Sequence, residues 1–337
     1  MRFVFLIPDL DTSRSWRIFL RIVSELSRFE MVDQVFRYRY LRVWEVFGGT
    51  LNIMRHCRVA RSQGAEAVVA TISGRDTYGE WGLPGLPYIR WTDRSPDDIC
   101  IVPDFASNLV DEITGKAIVY LQVPIHTRAN FHYQDDRIAL WTDSPYMQEI
   151  CHATYPGKEA EIVPNIIDRD EFPFISQSKR EPGLVFAFPR KGPEFIAATQ
   201  EWYRKLGGTY WRFELIDGLS IHELARQFRR PQVFLASAEV EGCALPPQES
   251  MASGIVVVGK TARGANFSMQ HGKTAMVAES PEEAARCLLE LEDGELRDSI
   301  AQNAYHYISR YFWDGEPARF WQKTIAHYST TKIKLSR

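Results

Sequence analysis

Glu241 and Glu249 stand eight residues apart in the stretch PQVFLASAEVEGCALPPQESMASGIVVVG, from Pro231 to Gly259. Carboxylates accept hydrogen bonds from hydroxyls, and the small residues Gly242, Cys243 and Ala244 between them let main-chain amides approach a ligand closely. A second group with chemistry to offer is Pro189-Arg190-Lys191-Gly192-Pro193, two cations beside a glycine. Cations and close-approaching amides suit a diphosphate, each charge-assisted bond contributing about 1.5–3 kcal/mol. Hydroxyls and a diphosphate together describe a nucleotide sugar. The plainer alternative is that Glu249 caps its own helix and Glu241 is a solvated loop charge, and residue types alone leave both readings open.

These residues need elements to hold them. Val233 to Ala236 is a short apolar run of strand type, and Gly254 to Gly259 contains a β-branched one, Ile255 to Val258. Between them the sequence predicts a loop carrying Glu241, then a helix with Pro246, Pro247 and Glu249 in its first turn and Gly254 just past its end. The unpaired amides of such a helix start favour an anion by roughly 0.3–1 kcal/mol. Leu184 to Phe188 predicts the strand that leads into Arg190 and Lys191, with a helix following to Leu206. A surface cation pair near a helix start is electrostatically disfavoured, which argues for a ligand there. Asp217 is expected to end the next strand, and Ser220 with Glu223, like Ser280 with Glu283, has the form of a helix cap.

The string S-x-x-x-E-G-x-x-L-P-x-x-E-S-M-A-S-G, starting at Ser237 and followed by a valine strand, resembles the donor-site signature of GT-B glycosyltransferases, in particular glycosyltransferase family 4. The resemblance implies an α/β fold of two Rossmann-like domains facing a cleft, with a C-terminal helix crossing back to the first domain. It implies that Glu241 and the amides of Gly242, Cys243, Ala244 and Leu245 hold the sugar hydroxyls, while Glu249 holds the ribose. The family's phosphate-binding lysine maps onto Lys191. Its arginine five residues earlier is replaced here by Phe186, and Arg190, next to Pro189, is the substitute. Arg263 and Gly264 resemble the loop that closes on the phosphates. His126, after the expected strand Ala117 to Val123, resembles the family's histidine or aspartate near the donor sugar, with His132 as its competitor. The catalytic candidates are thus Lys191, Glu241, His126 and Arg190. No metal and no cofactor is expected.

Length and composition fit this reading. The chain has 337 residues, 45% of them apolar and 25% charged, enough for two domains with separate cores. Its five cysteines are scattered without a C-x-x-C pair, which argues against a disulfide framework or zinc site and for a reducing, cytoplasmic setting. The apolar run Phe3 to Ile7 stops at Pro8, too short for a signal peptide, and no run approaches a membrane span. A net charge of −3 gives no reason to invoke nucleic acid. Residues 1–60 differ from the whole, with ten arginines against six acidic residues. Arg14, Arg17, Arg21, Arg37, Arg39 and Arg42 either solvate a helix face and a strand, or form a patch that docks peripherally on anionic lipid at the inner membrane surface or on an acidic acceptor.

Strands alternating with helices through Ala67–Ile72, Ile99–Pro103, Ala117–Val123 and Ile138–Trp141 predict a parallel sheet in residues 1–165. The Asp9-Leu10-Asp11 pattern is discounted as a metal motif because Asp residues in such a loop serve turn and cap roles. Val163-Pro164-Asn165 resembles the family's interdomain segment, residues 166–183 have linker composition, residues 184–310 are expected to form the donor-nucleotide domain, and residues 311–330 the terminal helix. The expected activity is retaining transfer of a hexose-type sugar from a nucleotide diphosphate, UDP on family prevalence, to a glycan or lipid-linked acceptor. Two alternatives are a non-hydrolysing nucleotide-sugar epimerase and a catalytically silent partner subunit of the same fold.

Overall fold

The computed structural model describes residues 1–9, 48–75, 83–126, 133, 135–313 and 315–335. The arginine patch from Arg14 to Arg42, Asp11 and His132 lie outside them. The chain divides into two compact units. The first comprises residues 1–143, 148–163 and 317–337, and the second comprises 144–147 and 164–316.

The first unit is built on a seven-stranded sheet ordered β3-β2-β1-β4-β5-β6-β7, with all neighbouring strands parallel among the described residues. Its strands are β1 (Arg2–Leu6), β2 (Glu66–Thr71), β3 (Tyr88–Arg90), β4 (Ile99–Pro103), β5 (Lys116–Leu121), β6 (Ile138–Thr142) and β7 (Ala160–Ile162). β1 and β4 are apolar and buried almost end to end, as strands covered on both faces must be. α1 (Gly48–Ser62) leads from the undescribed stretch into β2, and α2 (Pro145–Thr154) joins β6 to β7.

The strand order reverses between β1 and β4, the position where open parallel sheets bind ligands beyond their carboxyl ends. Two aspartates organise that end. Asp104, just after β4, accepts from the amides of Gln122 and Val123 at 2.9 and 3.0 Å and so fixes the exit of β5. Asp9, just after β1, accepts from the amides of Ile72 and Ser73 at 2.9 and 3.2 Å and from the Ser73 hydroxyl. The turn role expected of Asp9 is therefore real, but it is exercised on the loop after β2.

Burial pushes the Asp9 carboxyl up to about 6, against the downward pull of those hydrogen bonds. The folded protein thus keeps a proton that the unfolded chain releases near pH 4, so stability from this group is greatest below pH 4 and falls as pH rises to 6, by about 3 kcal/mol. In Asp9→Asn that component should vanish. The check is urea unfolding of both proteins from pH 4 to 7, where a wild-type-minus-variant difference independent of pH would contradict the assignment.

The second unit holds a five-stranded parallel sheet ordered β12-β11-β10-β8-β9. Its strands are β8 (Leu184–Ala187), β9 (Arg212–Leu215), β10 (Val233–Ala236), β11 (Val256–Gly259) and β12 (Met276–Val277). Between them run α3 (Pro193–Lys205), α4 (Ile221–Gln227) and α5 (Leu245–Ser253), followed by α6 (Pro281–Glu290) and α7 (Gly294–Phe312). Alternate residues of β8, β10 and β11 feed two cores: Phe186, Phe234 and Val257 one, Val185, Val233 and Val258 the other. Both expected capping boxes form, at Ser220 with Glu223 and at Ser280 with Glu283.

Residues 166–183, of linker composition, are packed into this unit. Phe172 is fully buried, and the Arg180 guanidinium, 3% exposed, donates to the carbonyls of Ile175, Phe228, Pro231 and Ser253. Burial alone lowers the Arg180 pKa to about 9. Finally, α8 (Glu316–Leu335) belongs to the first unit from Pro317 onward.

Candidate functional site

In the second sheet the order reverses between β8 and β10, because β9 lies to one side of β8 and β10 to the other. The carboxyl ends of those two strands are where a ligand is expected on topological grounds. Lys191 follows β8 and Glu241 follows β10. Fifty residues apart in sequence, they form an ion pair by donation from Lys191 Nζ to Glu241 Oε1, with side-chain exposures of 51% for the lysine and 9% for the glutamate.

The backbone between them is tied in the same place. Ser237, first residue of the Ser-to-Gly string, donates its hydroxyl to the Lys191 carbonyl. Gly192 caps α3 in the left-handed region at φ 83°, and a Cβ there would run into the Ser237 carbonyl oxygen. Glycine is thus required twice over, by torsion and by approach. Beside the pair is a cavity of about 460 Å³ whose wall includes Lys191, Ser237, Phe195, Glu239 and Lys260. Lys260 bonds to Glu239 and stands 5.1 Å over the Phe195 ring, and its hydrogen bond holds the Glu239 carboxyl below the usual range. Neither Lys260 nor Glu239 was singled out from sequence, since each alone looks like a surface charge.

The loop after Glu241 is held by residues on three other segments. Ser144 Oγ donates to the Gly242 carbonyl at 2.6 Å, and Asn165 Nδ2 to the Cys243 carbonyl at 3.0 Å and to Gln248 Oε1 at 3.1 Å. The Ala244 amide donates to Asn266 Oδ1 at 3.1 Å, so this amide is engaged within the protein. Ser144, Asn165 and Gln248 are all buried, and Asn266 is 2% exposed. A buried amide or hydroxyl needs a partner, and here the partner is the loop that carries the candidate site. Asn165 was visible as part of the Pro-Asn segment, but not as the loop's anchor.

Several expectations change. Glu249 is not in the first turn: α5 starts at Leu245, so Pro246 and Pro247 occupy that turn and Glu249 is the fifth residue, 2% exposed. Leu245 packs its side chain into the core. Phe186 is likewise wholly in the core. Arg190 is exposed, makes no ion pair among the described residues, and follows the half-buried Pro189. His126 ends a 3-10 turn (Pro124–His126) after β5, in the first unit, and its side chain is not described.

Arg263 and Gly264 lie on a strained turn. Ala262, Arg263 and Gly264 have φ of 52°, 59° and 88°, three successive left-handed residues of which two carry a Cβ. This turn delivers Asn266 to the Ala244 amide. Strain of this kind persists where surrounding structure overdetermines it, often beside a ligand. Arg263→Gly relieves about 1–2 kcal/mol of left-handed strain against an unfolded-state entropy cost of about 0.4–1 kcal/mol. It should therefore melt at or above the wild-type temperature, and a clearly lower melting temperature would mean that the turn carries no such strain.

Residues 212–307 match the family described as glycosyl transferases group 1, a segment that contains Glu241, Glu249, Arg263 and Gly264. A search of curated proteins finds no match. Among solved structures, the chain is similar to sucrose-phosphate synthase from Thermosynechococcus elongatus, with 10% identity, a TM-score of 0.64, and coverage of 98% of this chain and 100% of that one. It is similar to HepE from Anabaena, solved with UDP-glucose, at 13% identity and a TM-score of 0.62, covering 97% and 100%. It is also similar to the pneumococcal O-GlcNAc transferase GtfA, solved with UDP and GlcNAc, at 14% identity and a TM-score of 0.54, covering 70% of this chain. Of that transferase's length it spans 58%. The fold is GT-B, the architecture of these solved structures, and residues 212–307 of the second unit match the group 1 glycosyl transferase model.

Proposed function

We propose that the protein moves a sugar from a nucleoside diphosphate, with UDP as the preferred carrier, to a carbohydrate acceptor, glycan or lipid-linked, retaining anomeric configuration and needing no metal. The observation that carries this reading is the meeting of Lys191 and Glu241 at the reversal of the second sheet, next to the matched group 1 segment. HepE and GtfA, whose structures hold UDP-glucose and UDP with GlcNAc, support the choice of carrier. In the proposed reaction charge gathers on the departing diphosphate. Lys191, Arg190 and the amino end of α5 stabilise it from a preorganised site, the kind of contribution that is usually largest in catalysis. Glu241 orients the sugar through its hydroxyls, Glu249 the ribose, and His126 is the candidate from the first unit. The resemblance to glycosyltransferase family 4 supports retention, and no carboxylate in the second unit is nominated as a nucleophile.

Among the described residues no helix is long and apolar enough to cross a membrane. The arginine-rich stretch of residues 1–60 supports a peripheral contact with anionic lipid as part of the proposal. The test is incubation with UDP-glucose, UDP-galactose and UDP-GlcNAc in EDTA together with a panel of alkyl glycosides as acceptors, reading UDP release and the anomeric proton of the new glycoside by NMR. UDP release with an unchanged anomer is expected. Release only after a divalent cation is added, or an inverted product, would contradict the reading.

A further inference from the structure

We propose that the Lys191–Glu241 pair is a lock which an intact nucleotide sugar opens at low cost and a bare nucleoside diphosphate does not, so that it selects substrate over spent product. The inference rests on the donor reading above and adds a discriminating role to the same two residues. Its basis is an asymmetry. The lysine side chain is 51% exposed and the glutamate 9%. Pulled away from its partner, the ammonium is rehydrated easily, whereas the carboxylate is left largely buried and needs a donor.

Three donors on these segments already have partners. The Ser237 hydroxyl serves the Lys191 carbonyl, Lys260 serves Glu239, and the Ala244 amide serves Asn266. A diphosphate draws Lys191 toward its own oxygens, brings only acceptors, and sets further negative charge near Glu241. A sugar on that diphosphate brings hydroxyls, which replace what the ammonium withdrew. Once the sugar has left with the acceptor those hydroxyls are gone, Lys191 returns to Glu241, and the nucleoside diphosphate loses its principal cation. Release of product, a slow step in many enzymes, is thereby assisted.

The experiment is calorimetric titration of wild type, Glu241→Gln and the double variant Lys191→Gln/Glu241→Gln with UDP, GDP, ADP and their glucose conjugates. Glutamine keeps a hydrogen-bonding carbonyl but holds the ammonium weakly, and a released, half-exposed Lys191 does not endanger folding. Glu241→Gln should bind the nucleoside diphosphate about tenfold more tightly than wild type while gaining nothing for the nucleotide sugar. The gain should disappear in the double variant, which has no lysine to release. Wild type that binds the diphosphate, with a Glu241→Gln that binds it no better, overturns the lock and leaves the donor reading standing. A gain that survives in the double variant also overturns it. Wild type that binds none of the six ligands overturns the donor reading, and the lock with it.

Discussion

Lys191→Ala should lower the rate of sugar transfer by about 10²–10³-fold while weakening donor binding far less. The reason is where the charge appears. In the bound donor the diphosphate is already anionic and partly solvated, but the bond to the sugar breaks by pushing further charge onto it, and a cation fixed at the β8–β10 reversal meets that charge without reorganising. Lys191 is fixed through its backbone, by Ser237 at its carbonyl and by the left-handed Gly192 that follows it, so its head can pass from Glu241 to the diphosphate without moving the chain. Single-turnover rates and calorimetric donor affinities, measured on a variant whose circular dichroism matches wild type, separate the two effects. Unchanged turnover would remove Lys191 from catalysis. Some loss of stability accompanies the change, about 1–3 kcal/mol, because the largely buried Glu241 loses its partner.

Trp321→Ala should cost about 3–5 kcal/mol of stability in the first unit. Trp321 is fully buried on α8, with ring centroids 5.2 Å from Phe3, 5.5 Å from Phe5 and 5.8 Å from both Trp141 and Phe320. Its indole N–H donates to His56 Nδ1 at 3.1 Å. One side chain from the end of the chain thus joins the first strand, the sixth strand and α1, so the cavity left by alanine has walls on several elements and cannot collapse. Urea unfolding should show the midpoint shift, with Trp321→Phe recovering about half by refilling most of the volume while leaving His56 without its donor. A shift below about 1 kcal/mol would mean that α8 is not anchored through this residue.

The parts of this molecule that could be read in its sequence are those where one local signal suffices. β10 and β11 are unbroken apolar runs, the Pro-Pro pair and Gly254 mark the ends of α5, and the capping boxes at Ser220 and Ser280 are complete within four residues. The GT-B fold followed from the resemblance of the string beginning at Ser237. Short edge strands were harder. β3, β7 and β12 have only two or three residues, and β9, expected to end at Asp217, stops at Leu215.

Within the site, Lys191 and Glu241 were each legible, but their pairing was not, because only the adjacency of β8 and β10 brings them together. The same holds for Asn165, Gln248 and Asn266. In sequence they are ordinary polar residues, and burial against the Gly242–Ala244 loop is what gives them a task. The placement of Glu249 was wrong by one turn because two prolines fit the first turn of a helix equally well at several offsets, and only the observed start at Leu245 decides among them.

The most direct test of the account is calorimetric titration of the purified protein with UDP, GDP and ADP in EDTA, followed by the corresponding sugar conjugates. The account predicts saturable binding of one nucleoside diphosphate, UDP, and of its sugar conjugate without metal, with a weaker salt dependence of the conjugate's binding in Lys191→Ala. Absence of binding by all three diphosphates and their conjugates would contradict it.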